Sequence, residues 1–275
     1  MRIVILGAGG MGSLYGGLLA DQIGIKASRA EDLDGVADLL VLFTKTYHSA
    51  SALESARHLI GPETWLMSIQ NGLGAVDRLM AYGGLDRIII GMSSFPADFV
   101  GPGHIESHQG GFSETALMAA NDGECPAAVV QISEYLSRAG LNCAVDPLVQ
   151  QAIWKKVAFN CALNSLCAIC KDTPGIIGQD QSSRSFALNV VSEVVAVAGA
   201  AGFAISGVEV AQMVDRAIDK HADHKPSMRQ DLEAGRQTEV DALNGAVVSL
   251  GQELGVPTPL NESLWRLVKL AERSR

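Results

Sequence analysis

Apolar residues along the first half of the chain fall into short runs that are separated by helical stretches and by Gly, Pro, Asn and Asp. Runs of this length, rich in Val, Ile and Leu, predict buried strands. The predicted strands lie at residues 2–6, 38–44, 64–68, 87–92 and 142–145, with two shorter ones near 104–108 and 115–119, and a helix is predicted over 126–139. Strands that alternate with helices predict a parallel sheet with helices on its faces.

From Pro147 onward the apolar residues are spaced three and four positions apart, which predicts helices. The breaks between these helices contain Pro or Gly. The predicted helices lie at residues 148–169, 182–201, 207–220, 227–235, 240–255 and 259–273. We therefore predict two domains, an α/β domain over residues 1–146 and an all-α domain over residues 147–275.

A glycine-rich turn, GAGGMG, directly follows the first predicted strand and directly precedes a helix. In a dinucleotide site the first glycine permits the tight turn, the second lets the backbone approach a diphosphate, and the third lets helix and strand pack closely. The helix N-terminus then attracts the negative charge. This context predicts a Rossmann-like domain whose cofactor-binding residues include Gly7, Ala8, Gly9, Gly10, Met11 and Gly12.

The second strand of such a domain should end in a ribose-binding residue about 20 positions further on, and the sequence lacks it. The first helix is predicted to run to about Ala20, and the next apolar strand has begun by Asp38. A natural shortening, an engineered deletion and a mobile segment left out near Ala20 and Asp21 all explain this. We favour the third, because the flanking segments look intact and surface loops are often mobile. A continuous chain places consecutive Cα atoms there about 3.8 Å apart.

Composition narrows the function classes further. The net charge of −9 and the pI near 5.1 argue against a nucleic-acid or an anionic-membrane partner. The N-terminus lacks the features of a signal peptide, and the longest apolar run, at residues 190–205, is interrupted by Ser192 and Glu193. We therefore expect a soluble, cytoplasmic protein.

Five cysteines are an odd number, which does not favour a disulfide framework. Cys167 and Cys170 form a C-x-x-C pair, but a zinc site needs a second ligand pair that the sequence does not show. Because Cys161, Cys167 and Cys170 fall in an apolar helical pattern, we predict that they are buried free thiols.

A row of polar side chains stands out within the first helix of the second domain. Lys156, Asn160 and Asn164 are spaced at i, i+4 and i+8, so they share one helix face among apolar neighbours. Such a row is either a structural network between helices or the wall of a pocket for a small polar substrate. Burial is expected to lower the pKa of Lys156 to about 7 to 8. Asn71 follows a predicted parallel strand, at the sheet edge where ligands bind.

Taken together, these motifs resemble the ketopantoate reductase family, the 2-dehydropantoate 2-reductases. The resemblance covers nearly the whole chain. It rests on GAGGMG at the N-terminus, FTKTY around Lys45, QNGLG around Asn71, WKKVAFNCALN around Lys156, and KPSMRQDLEAGRQTEVDALNG through Glu239. The last two motifs are much more specific than a glycine-rich turn alone.

The resemblance implies an NADPH-dependent reduction of 2-dehydropantoate to pantoate, on the way to coenzyme A. Lys156 is then the general acid that protonates the developing alkoxide. By the same resemblance, the substrate-binding residues are Asn71, Asn160, Asn164 and Ser227, and further cofactor contacts come from Lys45, Asn71, Ala97 and Glu239. A homodimer is possible, since an apolar face of the helical domain could pair.

Some alternatives stay open at this point. His224 stands where the family often has asparagine, so another 2-keto acid, branched or aromatic, remains a candidate substrate. A β-hydroxyacid dehydrogenase also joins a dinucleotide domain to a helical domain, although its substrate loop is not found. A non-catalytic NADP-binding protein is the alternative from another class.

Overall fold

The structure is a computed structural model that describes residues 1–23, 28–101, 104–107, 114–121 and 124–274. The chain divides into two compact units. The first comprises Met1–Gln70 and Gly74–Val149, and the second comprises Asn71–Leu73 and Gln150–Arg275. The short segment Asn71–Leu73 therefore belongs to the helical unit although its neighbours on both sides belong to the first.

The first unit is built on a six-stranded sheet of order β1-β2-β3-β4-β7-β8. The strands are β1 (Ile3–Leu6), β2 (Leu39–Leu42), β3 (Trp65–Ser68), β4 (Ile88–Ser93), β7 (Thr115–Ala119) and β8 (Cys143–Val145). All four residues of β2 and of β3 are buried, which explains their unbroken apolar runs, because parallel strands are covered on both faces. The pairs are parallel except for β4 with β7, which is antiparallel.

Four α-helices and a separate hairpin complete the described part of this unit. The helices are α1 (Gly10–Ile23), α2 (Ser49–Ser55), α3 (Ala75–Met80) and α4 (Ala127–Leu136), and the hairpin joins β5 (Asp98–Gly101) to β6 (His104–Glu106). Tyr15 fixes α1 on the sheet, since its side chain is buried and its hydroxyl lies 2.6 Å from the Thr115 hydroxyl. Burial raises the pKa of Tyr15 to about 12, so the hydroxyl stays protonated.

The sequence located most of these strands within one or two residues, but three expectations differ from the structure. Strand β5 was not predicted, and the antiparallel direction of β7 departs from the expected parallel sheet. Helix α1 continues through Ala20 and Asp21 to Ile23, so the break expected there is not found. The end of the strand predicted near 104–108 lies outside the described residues.

The described residues of the second unit form helices and their connections, with no strand, as predicted. Its helices are α5 (Val149–Cys170), α6 (Gln181–Ala200), α7 (Gly207–Lys220), α8 (Ser227–Glu233), α9 (Ala246–Leu254) and α10 (Pro259–Arg273). The helix predicted over 240–255 is divided, because Asp241–Gly245 forms a π-helical turn before α9 begins. Single π-helical turns inside helices are often found at functional sites.

Among the described residues, no helix combines the length and the apolar character needed to cross a membrane. The cysteines are free thiols, as predicted, and no group of metal-ligating side chains was found in the same part of the chain. Cys161 and Cys167 are buried, and burial raises the pKa of Cys167 to about 12. Cys170 is exposed, so its predicted burial was wrong: it is the last residue of α5, where the helix leaves the core.

Candidate active site

The glycine-rich loop joins β1 to α1 in the first unit. Gly7 has a φ of +109°, and a Cβ there would come within 2.7 Å of the backbone nitrogen of Thr44. A Cβ on Gly12 would lie 1.8 Å from the carbonyl oxygen of Gly7. Both positions therefore need glycine for the local backbone to pack, which agrees with the turn and packing roles of the motif.

Gly9 differs from these two glycines, because a Cβ built on it meets nothing within 4 Å. The open space lies at the beginning of α1, whose first turn carries no acidic side chain. A helix N-terminus bearing unpaired N–H groups and no negative charge attracts an anion. These residues therefore fit the diphosphate of a dinucleotide, with Ala8 and Gly9 exposed to receive it.

Two further loops of the first unit carry predicted cofactor residues. Lys45 follows β2. Ala97 follows β4, and its carbonyl oxygen lies 2.3 Å from the position that a Cβ on Gly10 would occupy. Gln70, which the sequence did not single out, holds the loops after β2 and β3 together. Its Nε2 donates to the carbonyl oxygen of Thr44 at 2.6 Å and to the Ser49 hydroxyl at 2.9 Å.

The polar row predicted on α5 is present in the second unit. Asn160 and Asn164 are buried, with 7% and 8% of their surface exposed, and Lys156 keeps partial access to solvent. Burial lowers the pKa of Lys156 to about 8, and the negative charge of Glu239 partly opposes this shift. An amine with this pKa is present both as ammonium and as free amine near neutral pH, as proton transfer requires.

The next residue on the helix, Lys155, has a different environment. Its ammonium forms an ion pair with Glu209 of α7. The ionic partners of the two lysines therefore lie on different elements. This arrangement supports Lys156, and not Lys155, as the candidate acid.

Glu239 is itself buried, with 8% of its surface exposed, and the segment around it is fastened to α10. The backbone N–H and the hydroxyl of Thr238 both donate to Glu272, at 2.8 and 2.7 Å. On the other side, Asp241 accepts from the Trp265 indole at 2.7 Å and from Lys269 at 2.8 Å. These contacts fix the backbone that presents the Glu239 carboxylate. The sequence did not identify them.

The segment Asn71–Leu73 is attached to the same region. The backbone N–H of Leu73 donates to the carbonyl oxygen of Ala242 at 2.9 Å. Gly72 has a φ of +90°, and a Cβ there would lie 2.3 Å from that same oxygen, so only glycine permits this approach. Asn71 is thereby held beside the π-helical turn that follows Glu239.

Ser227 lies elsewhere on the unit, as the first residue of α8, and its side chain is exposed. The neighbouring Met228 is buried and its sulfur accepts from the Ser165 hydroxyl of α5 at 3.7 Å. The structure therefore places α8 against α5. The assignment of Ser227 to the substrate stays a prediction.

A network of buried polar side chains lies behind the α5 row. Asn244 accepts from the Ser165 hydroxyl at 2.6 Å, and its amide donates to the Cys161 carbonyl and to Asn261, both at 3.1 Å. Asn261 in turn donates to Glu193 at 2.8 Å. The network connects α5 to the π-helical turn and to α10. The sign of this network in the sequence was Asn244, a single asparagine within the apolar pattern of residues 240–255.

We expect Asn244→Ala to lower the free energy of unfolding by about 2–4 kcal/mol, because it leaves buried partners without hydrogen bonds. Urea unfolding followed by circular dichroism measures this change. Asn189→Ala, on the exposed face of α6, is the matched control and should change stability by about 0.5 kcal/mol or less. Equal effects of the two substitutions would contradict the role given to the network.

Comparisons with known proteins identify the family of the chain. The family model described as "Ketopantoate reductase PanE/ApbA" matches residues 21–121, and "Ketopantoate reductase PanE/ApbA C terminal" matches residues 148–272. A 2-dehydropantoate 2-reductase from Streptococcus pyogenes is 33% identical over 237 residues, covering 86% of this chain and 76% of that protein.

A further relative aligns along the full chain. The 2-dehydropantoate 2-reductase of Pyrococcus horikoshii is 30% identical, covering 99% of this chain and 98% of that protein. That alignment spans 303 positions, 28 more than the 275 residues here, so the relative carries at least 28 residues without a counterpart.

Among solved structures, D-mandelate dehydrogenase in a ternary complex with NADH and anilino(oxo)acetate is 26% identical with a TM-score of 0.93, covering 100% of this chain and 99% of that one. With both halves matched by the family models and the relatives aligned along the chain, the protein belongs to the ketopantoate reductase family.

Proposed function

We propose that the protein reduces 2-dehydropantoate, or a closely related 2-keto acid, to the 2-hydroxy acid with a reduced nicotinamide dinucleotide. The family resemblance points to NADPH as that dinucleotide. The observation that supports the proposal most strongly is the polar row of α5, in which Lys156 shares a helix face with the buried amides Asn160 and Asn164. Burial also lowers the pKa of Lys156. The glycine loop, which fits a diphosphate, supports the choice of cofactor.

In the proposed reaction, C2 of the keto acid would receive the hydride that a reduced nicotinamide dinucleotide supplies when bound. The electron pair of the carbonyl π bond moves to the oxygen, where negative charge develops. The Lys156 ammonium stabilises that charge and donates its proton to the oxygen, so the product is the neutral hydroxyl. Lys156 then takes up a proton from water, to which it has partial access.

The remaining residues of the helical unit bind and orient in this proposal. Asn160 and Asn164 offer amide donors to the carboxylate and hydroxyl of the substrate from the same helix face as Lys156. Glu239 favours the ammonium form of Lys156, because its negative charge raises the pKa that burial has lowered. Without Glu239, burial alone would leave less of the lysine protonated at neutral pH.

An aromatic 2-keto acid is the second candidate substrate. The similar D-mandelate dehydrogenase structure contains anilino(oxo)acetate, which carries a 2-oxo acid group next to an aromatic amine. His224, where the family often has asparagine, is a difference in the segment before α8. The two candidates share the reaction and differ only in the group attached to the keto acid.

A panel of 2-keto acids tests the proposal. The panel contains 2-dehydropantoate, a branched-chain keto acid and an aryl keto acid, each assayed by loss of reduced-nicotinamide absorbance. We expect turnover with at least one, and the highest kcat/KM with 2-dehydropantoate. A preference for the aryl acid favours the second candidate. Nucleotide binding without turnover of any of them would favour a non-catalytic nucleotide-binding protein.

We expect kcat/KM to be steady below about pH 8 and to fall above it, because the donor must be protonated and the pKa of Lys156 is about 8. Glu239→Gln should shift this fall to lower pH, since it removes the charge that raises that pKa. The matched control is Glu209→Gln, which removes the partner of Lys155 and should leave the fall in place. A shift to higher pH in Glu239→Gln would contradict the assignment.

A further inference from the structure

We propose that this protein binds NADPH and NADH with nearly equal affinity, because it holds the dinucleotide by its diphosphate and does not bind the 2′ position of the adenosine ribose. The inference rests on the proposed function, since it concerns the cofactor of that reaction. It departs from the NADPH preference that the resemblance implies.

The first observation is the position of β1 in the sheet. Within the described residues β1 pairs with β2 alone and forms the edge of the sheet. In a dinucleotide domain the ribose-binding residue ends a strand that lies beside β1 on that edge. Only 15 residues separate the end of α1 at Ile23 from the start of β2 at Leu39, too few for a strand, a crossover helix and a third strand.

The second observation is where the described part of this connection lies. Helix α1 runs away from the glycine loop for 14 residues, roughly 21 Å. Beyond it, the carbonyl oxygen of Leu33 lies 2.9 Å from the His58 ring, and Asp38 accepts from the backbone N–H of Arg2 at 2.6 Å. Arg2 immediately precedes β1, so this segment is at the amino end of the strand, opposite to the glycine loop.

The distance between the amino end and the carboxyl end of β1 decides whether charged side chains at the amino end affect a ribose bound at the carboxyl end. The four residues of β1 span roughly 13 Å, which exceeds the Debye length of about 8 Å at physiological ionic strength. Arg29, a cation in this segment, already pairs with Glu31 at 3.8 Å. The described charged side chains of this connection therefore contribute little to binding a 2′-phosphate at the glycine-loop end of the sheet.

The length of the relatives agrees with this interpretation. The Pyrococcus protein carries at least 28 residues that have no counterpart here. A strand, a short helix and their turns require about that number. The difference in length is therefore large enough for one supersecondary unit.

Equilibrium titration of the full chain with NADPH and with NADH, followed by nicotinamide fluorescence, tests the inference without turnover. A single hydrogen bond from a side chain to a phosphate would change affinity roughly 10- to 100-fold. We expect the two dissociation constants to agree within about threefold, at both low and physiological salt. Arg29→Ala should leave their ratio unchanged.

A difference of more than about tenfold between the two dissociation constants, in either direction, overturns the inference and leaves the proposed function standing. The inference would also be overturned if Arg29→Ala weakened the binding of NADPH relative to that of NADH, because Arg29 would then be the side chain that binds the 2′-phosphate. If neither dinucleotide binds, the proposed function fails together with the inference. Equal binding of the two dinucleotides, without turnover of any 2-keto acid, would contradict the proposed function and leave the inference standing.

Discussion

Lys156→Ala is expected to lower kcat by about 10²- to 10⁴-fold, the range usual for loss of a general acid. The reason is that the substituted protein has no ammonium to stabilise and protonate the developing oxyanion. Steady-state rates with saturating cofactor measure the effect, and nicotinamide fluorescence shows that the dinucleotide still binds. Loss of binding would assign Lys156 to the cofactor and not to the chemistry.

The lowered pKa of Lys156 and two further variants make this substitution a specific test of the general-acid role. The pKa of Lys156 is lowered by burial, so the charged form is disfavoured in the folded protein and its removal should not unfold the chain. Lys156→Met, which retains the packing of the side-chain methylenes, should lose as much activity. Lys155→Ala is the matched control, because it removes only a partly exposed ion pair to Glu209 and should keep kcat within about twofold.

The second large effect is expected for Gly12→Ala, which should abolish dinucleotide binding and lower the free energy of unfolding by about 1–3 kcal/mol. The new Cβ would lie 1.8 Å from the carbonyl oxygen of Gly7, so strand and helix must separate. Thermal unfolding and fluorescence titration measure both consequences. Gly17→Ala on the same helix meets nothing within 4 Å and should instead stabilise the protein by about 0.5–1 kcal/mol.

Gly9→Ala tests whether the glycine-rich loop binds the diphosphate, without disturbing how the loop packs. Its Cβ meets no protein atom, so the melting temperature should stay the same or rise, while a side chain in the diphosphate space should weaken binding at least tenfold. Unchanged affinity would contradict the placement of the diphosphate at this loop.

The sequence predicted much of the fold because its apolar periodicity differs between the two units. Strands such as β2 and β3 are buried on both faces and appear as unbroken apolar runs. The π-helical turn at Asp241–Gly245 was missed, since five residues of wider winding hardly change a helical pattern. Strand β5 was missed because, in the part of the chain that the structure describes, it pairs only with β6, in a two-stranded hairpin outside the main sheet.

Parts of the candidate site are predictable for a different reason. Lys156, Asn160 and Asn164 lie on one helix, so their common face follows from spacing alone. The assignment of Glu239 came from the family motif, because no local pattern connects it to Lys156. Glu272 acts on Thr238 across 34 positions of the chain, and only the packing of α10 reveals that contact.

The proposed reduction requires Lys156 to be protonated at neutral pH. The most direct test is an NMR titration of lysine side chains labelled at the ε carbon, with the Lys156 signal assigned from the spectrum of Lys156→Ala. We predict a titration midpoint near pH 8, coinciding with the fall in kcat/KM. A midpoint near the ordinary value of about 10.4, with kcat/KM constant through pH 9, would contradict the account.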